Sequence, residues 1–183
     1  MRRALTAAIG GVVALVTLAG CGSSPVIDRF SIAGGGVTGV YYGFGEQLAG
    51  VLSSRLDSIV TVDETDGSVD NLFRVSDGRA LLGFAQSDAA ADAVAGTGAF
   101  AQPLGVLAAA RLYDEYVHVV VRSDSDIAQI SDFTGRAVSL GAPNSGVSIV
   151  ATRVLDAAGV APMNVDDYEL GPGDSIDALR GRY

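Results

Sequence analysis

The chain of 183 residues has no lysine and no tryptophan, and it has one cysteine and one histidine. These scarcities exclude several kinds of chemistry. With Cys21 committed elsewhere, as argued below, His118 alone can build neither a thiol dyad nor a His-rich metal site, and any catalytic triad would need that one imidazole. His118 lies in the apolar run Val117 to Val121, which predicts a core or hinge histidine rather than a base. The arginines after Arg3 are scattered, so there is no basic patch. The formal charge is −9, and −11 once Arg2 and Arg3 are discounted, a surface that repels nucleic acid and anionic lipid heads. Carboxylates are plentiful, yet Asp124, Asp126, Asp132, Asp166 and Asp167 fall in turns and caps, and no pair is placed for acid–base work. The sequence therefore reads as neither an enzyme nor a nucleic-acid binder.

Apolar residues make up 49% of the chain, enough for the core of one ordinary domain. Arg2 and Arg3 precede the uncharged, mostly apolar run Ala4 to Leu18, which is short for a membrane span and has the form of an export signal. It ends in Leu18-Ala19-Gly20-Cys21, which resembles the lipobox of bacterial lipoproteins, where the thiol takes a diacylglycerol. A lone cysteine in an exported chain suits that use, and several acyl chains hold a protein on a bilayer far better than one. Residues 1–20 are thus read as a lipoprotein signal and 21–29 as a tether. The expected location is the outer side of the cytoplasmic membrane.

From Phe30 onward, short apolar runs alternate with helical periodicity. Strands are expected at Phe30 to Ala33, Ile59 to Val62 and Leu81 to Ala85. Each is followed by a helix: Tyr41 to Leu56, a second beginning at Ser68, and the alanine-rich Ala89 to Ala95. Ser68 and Ser87 are the predicted caps of the last two, and Asp88 is expected to complement the helix dipole. Further strands are expected at Leu104 to Leu112, Val117 to Arg122 and Ala137 to Leu140. Short helical stretches are read at Asp126 to Phe133 and after Asp174 as N-cap, and a longer helix at Gly146 to Ala158, stopped by Gly159. The order predicts parallel sheets with helices on their faces, and ligands beyond the C-terminal strand ends. Residues 30–120 form a first ligand-binding lobe, and 121–183 a second that looks incomplete, as if the sequence were a fragment.

Two turns stand out. Gly34-x-Gly36-x-x-Gly39 formally matches the dinucleotide fingerprint, with Asp63 or Glu64 as the ribose acid. Little nicotinamide cofactor is found outside the cytoplasm, however, and Tyr41-Tyr42 put bulk where a pyrophosphate must approach, so no cofactor is expected. The same free amides can hold any small anion, carboxylates included, with the tyrosines as phenol donors or as ordinary packing. Gly141-Ala142-Pro143-Asn144-Ser145-Gly146 is a second such turn, in which Asn144 and Ser145 either contact a ligand or cap the helix. Gln86, ending the third strand, could bond a polar ligand head. The two cradles are expected to face each other across a cleft.

Gly36-Val37-Thr38-Gly39-Val40-Tyr41-Tyr42, Gly67-Ser68-Val69-Asp70-Asn71-Leu72 and Gln86-Ser87-Asp88, followed in order by Gly96-Thr97-Gly98-Ala99-Phe100, Tyr113 to Arg122 and Gly141 to Gly146, resemble the TAXI solute-binding proteins of TRAP transporters. Gly43 and Ala99 depart from prolines common there. The resemblance implies an α/β, type II periplasmic-binding-protein fold: a first lobe plus an incomplete second lobe. It also implies a small carboxylate ligand such as glutamate or a dicarboxylic acid, and delivery to a TRAP membrane subunit. The implied ligand-binding residues are Thr38, Gly39, Tyr41, Tyr42, Gln86, Asn144, Ser145 and Gly146. A lipoprotein that presents its ligand to a membrane receptor for sensing is the alternative.

Overall fold

The computed structural model describes residues 27–181, so Cys21, the export signal and most of the tether lie outside the described residues. Strand β1 (Arg29–Ala33) is central in a parallel sheet of order β2-β1-β3, flanked by β2 (Ile59–Asp63) and β3 (Leu82–Gly83). The register pairs Phe30 with Val60, Ile32 with Val62 and Ala33 with Gly83. The crossovers carry helices α1 (Val40–Leu56) and α2 (Ser68–Ser76), and α3 (Ser87–Ala95) follows β3. This is the β-α-β-α-β-α order the apolar pattern predicts. β3 is shorter than expected because only Leu82 and Gly83 find partners on β1.

α1 lies close on the sheet. Its buried residues are Gly45 and Ala49, and a Cβ on Gly45 would sit 3.2 Å from a Val62 methyl and 3.3 Å from the Phe84 ring. The seam is filled by Ile32, Val60 and Phe84, with Leu48 and Leu52 packed around them. A second cluster joins α2 to α3 through Val69, Leu72, Ala89, Ala93 and Phe100.

The second unit is small. β4 (Ala137–Val138) pairs in parallel with β5 (Asp166–Asp167), and α4 (Gly146–Ala157) and α5 (Pro172–Leu179) follow them. Phe133, Leu140, Leu155, Val160 and Val165 form its core. α4 ends as the sequence suggests, with Gly159 left-handed at φ 74°. α5 does not: Gly171 is its N-cap and Pro172 its first residue, so Asp174 sits inside the first turn. Pro is pre-set for that position, which draws the helix start back toward it. Likewise only Ile130–Phe133 of the Asp126 to Phe133 stretch turns, as a 3-10 helix, and Ala137 to Leu140 pairs over Ala137 and Val138 alone.

The expected strands at Leu104 to Leu112 and Val117 to Arg122 are absent: among the described residues no strand pairing occurs between β3 and β4. Leu104 and Val106 lie on the Phe100 cluster. From there the chain runs exposed, with Leu107 98% and Tyr116 79% accessible. His118 is exposed with the rest of the run, so it is not the core histidine its apolar neighbours suggest. β-branched residues fit a pleated surface, but a strand exists only where another strand takes its hydrogen bonds.

Candidate functional site

Three strand-to-helix turns of the first unit converge near one turn of the second. Gly35 and Thr65 exchange two bonds, the Gly35 amide donating to the Thr65 hydroxyl at 2.7 Å and the Thr65 amide to the Gly35 carbonyl at 3.1 Å. The Thr65 hydroxyl donates to Asn71 Oδ1 at 2.5 Å, and Asn71 Nδ2 donates to the Phe84 carbonyl at 2.8 Å. Asn71 is 0% exposed, and through it the ends of all three strands are tied by one satisfied polar side chain, the arrangement burial requires.

Gly67 is the N-cap of α2, with φ 121°, and has no side chain with which to cap. The expected cap, Ser68, is instead the first helical residue. Its hydroxyl is 1% exposed and accepts the Gln86 amide at 3.2 Å. The capping is done from the other unit: the Asn144 carbonyl accepts the Val69 amide at 3.0 Å and the Asp70 amide at 3.4 Å. Those are two of the donors a helix start leaves unmatched. Asn144 delivers its carbonyl from a left-handed conformation, φ 61°, which Asn tolerates better than most residues.

The two units touch closely here. A Cβ on Gly67 would lie 3.2 Å from Ser145 Cα, and one on Gly146 would lie 2.1 Å from Gln86 Oε1 and 2.6 Å from Ser68 Oγ. Ser145 does what one of its two sequence readings holds, its hydroxyl accepting the Ser148 amide at 3.1 Å as the cap of α4. Gln86 is the N-cap residue of α3, with Ser87 one place further in, so Ser87 is not the cap predicted for it. Gln86 Oε1 is buried and has no hydrogen-bond partner. An unmatched acceptor of that kind costs about 1–3 kcal/mol.

Tyr41 stacks on Phe84 with ring centroids 5.4 Å apart. Burial, followed by the Glu115 carboxylate and the Tyr113 phenol, pushes its ionisation well above the usual tyrosine value, with Ser68 opposing. The Tyr41 phenol therefore stays neutral, between Glu115 and Ser68. Tyr42, about 100° further round the helix, faces elsewhere: its ring lies against Gly34 and lines a groove with Glu46, Ser53 and Thr61 on the β2 side. Thr38 is exposed and lies 3.2 Å from where a Gly173 Cβ would be, near the start of α5. The Gly39 amide is used by the Gly36 carbonyl at 2.8 Å. Of the eight candidates, Tyr41, Gln86, Asn144, Ser145 and Gly146 come together, whereas Thr38, Gly39 and Tyr42 sit to the side.

Ser68, Thr65, Asn71 and Glu115 are constituents of this region that the sequence reading did not single out as ligand residues. The Gly67-Ser68 turn carried the signal, since it too follows a strand and opens a helix. It is this turn, rather than the Gly34 to Gly36 turn, that meets Asn144 and Ser145. Asp88 does more than complement a dipole, because Arg153 of α4 reaches it at 2.7 Å and Asp92 at 2.5 Å.

Two parallel-sheet α/β units, meeting where strands give way to helices, define the class: an α/β fold of the periplasmic-binding-protein kind. It matches the alkanesulfonate-binding protein SsuA from Xanthomonas axonopodis pv. citri, solved bound to MOPS, with a TM-score of 0.53 and 18% identity over 84% of this chain and 51% of that one. The Escherichia coli periplasmic aliphatic sulphonate binding protein SsuA aligns at 15% identity over 86% of this chain and 52% of that one, with a TM-score of 0.44. Residues 32–182 match the NMT1-like family, and the chain belongs to it. It spans about half the length of the two SsuA chains.

Proposed function

We propose that this chain is part of an exported, lipid-anchored solute-binding protein of the TAXI type, which holds a small carboxylate such as glutamate or a dicarboxylic acid and passes it to a TRAP membrane subunit. Membership of the NMT1-like family and the two-unit fold support the coarser part of this reading. The ordered motifs from Gly36 to Gly146 support the finer part. The ligand sits where the Gly67-Ser68 turn, Gln86, Tyr41 and the Asn144-Ser145-Gly146 turn converge. Its anionic head takes amide hydrogens at helix starts, and the neutral Tyr41 ring forms part of the wall beside them.

The observation that carries the proposal is the contact of Gly67 with Ser145, 3.2 Å from a Cβ position to Cα, because it joins two helix-launching turns from separate units at one point. Isothermal titration with glutamate, succinate and, because the Xanthomonas relative was solved with the sulfonate MOPS, an alkanesulfonate tests it. Carboxylate binding that weakens at least tenfold on joint replacement of Tyr41, Asn144 and Ser145 is the expected result. Heat signals from none of the acids, or affinity indifferent to those replacements, would overturn it.

A further inference from the structure

On the second unit most of the contacts with the first come from one stretch, the turn at Asn144 to Gly146 and α4 as far as Arg153, while Gly173 of α5 against Thr38 lies outside it. Asn144 caps α2 through its carbonyl, Ile149 packs on the Phe100 cluster, and Arg153 spans Asp88 and Asp92 of α3. Ile149 and Arg153 are one helical turn apart and share a face of α4. Against these contacts stands Gln86 Oε1, sealed without a partner by Gly146. Opening would return that carbonyl to water.

We propose that residues 144–153 form a latch that gates the cleft, with Arg153 as the positioning residue that holds it shut. The Asn144 carbonyl occupies the same two amides, Val69 and Asp70, that an anionic ligand head would use. A ligand and the closed latch thus compete for one pair of donors, and the latch sets how readily the cleft accepts a guest. The Asp92 carboxylate is well covered, at 17% exposure, while Arg153 is 47% exposed, so the bridge can be broken without disturbing either core. This inference uses the cleft assignment above only for its consequence, because the latch itself is read out with no ligand present.

The test is hydrogen exchange on the full chain, comparing the Val69 and Asp70 amides with the Gly34 and Leu81 amides, which bond within the first unit at 3.0 Å and 2.9 Å. In Arg153→Ala, exchange at Val69 and Asp70 is expected to rise about fivefold or more while Gly34 and Leu81 stay unchanged. Raising salt from about 0.05 to about 1 M on the unaltered chain screens the same pairs and should move the same two amides. If Val69 exchange stays within about twofold of the unaltered chain in both arms, or if Gly34 and Leu81 quicken in step with it, the latch is refuted. That outcome would leave the solute-binding reading standing.

Discussion

Gly146→Ala puts the meeting of the two units to a quantitative test. The new methyl would lie 2.1 Å from Gln86 Oε1, 2.7 Å from Gln86 Cδ and 2.6 Å from Ser68 Oγ. Ordinary carbon contacts begin near about 3.5 Å, so something must yield. The Gln86 side chain can swing outward and loses no hydrogen bond, because its Oε1 makes none. Ser68 moves less easily, since its hydroxyl holds the Gln86 amide. If neither yields, α4 must withdraw and break the Asn144 cap. Overpacking of this sort costs about 1–3 kcal/mol, partly offset by the better helix propensity of alanine. A melting-temperature loss of about 2–4 °C per kcal/mol is expected for a chain of this size. Gln86→Ala alone should fall within about 0.5 kcal/mol of the parent, because the relief of an unmatched acceptor is offset by the packing that the truncation loses. The double variant should then be more stable than the two single effects predict, by about 1 kcal/mol. Urea unfolding followed by circular dichroism supplies all four corners of the cycle. A harmless Gly146→Ala, or strict additivity with Gln86→Ala, would show that the two side chains do not meet as described.

Asn71→Leu keeps the branched shape, adds some bulk and strips the Phe84 carbonyl and the Thr65 hydroxyl of a partner each, so about 2–5 kcal/mol of stability should be lost in the same unfolding assay; a loss below about 1 kcal/mol would mean the strand ends are not tied through this amide. Tyr41, neutral to well above the usual value of 10.0 because of burial and Glu115, binds its proton more tightly folded than unfolded. Its contribution to stability is therefore full below pH 10 and shrinks as pH rises beyond it, and Tyr41→Phe should flatten the alkaline limb of a stability-against-pH curve measured by denaturation. An unchanged limb would contradict the assignment. The exposed run around Tyr116 and Val119, 79% and 50% accessible, should drive self-association. Val119→Lys with Val120→Lys should reduce it in sedimentation velocity and leave far-ultraviolet dichroism intact.

The elements legible in the sequence are those whose stabilising contacts are near in the chain or set by pattern. Phe30 to Ala33 and Ile59 to Val62 became β1 and β2 because both are apolar runs bounded by turn residues, and the stop signal Gly159 works from its own backbone conformation. The helix starts were misplaced by one residue at Ser68 and Ser87. A hydroxyl before an apolar stripe suits the cap, and only the fold reveals that the cap amides of α2 are claimed by Asn144. The run from Leu107 to Val121 has strand composition but no strand neighbour, and pairing is a long-range property that composition does not encode. In the candidate site, Gln86, Asn144, Ser145 and Gly146 were legible as turn residues at strand ends. That the Gly67 turn would be the one to face them was not, because the choice between three similar turns depends on how the second unit docks.

The glycines at this junction show why such a site is built from backbone rather than from charged side chains. Gly67 is needed for its left-handed conformation and also for its closeness to Ser145, whereas Gly146 is needed for closeness alone, since its backbone suits any residue. Where two main chains must approach within van der Waals contact, a Cβ on either removes the amides from reach. A lysine or arginine placed there instead would add a positive charge but hold the units apart. Helix-start amides give a directed positive field with no bulk, and that field is strongest in a dry junction. The same dryness strands Gln86 Oε1, so the arrangement that makes the amides effective also makes the closed junction imperfect. Its closed form therefore rests on contacts outside the junction, and among them the Arg153 bridge to α3 can be removed without touching the amides themselves.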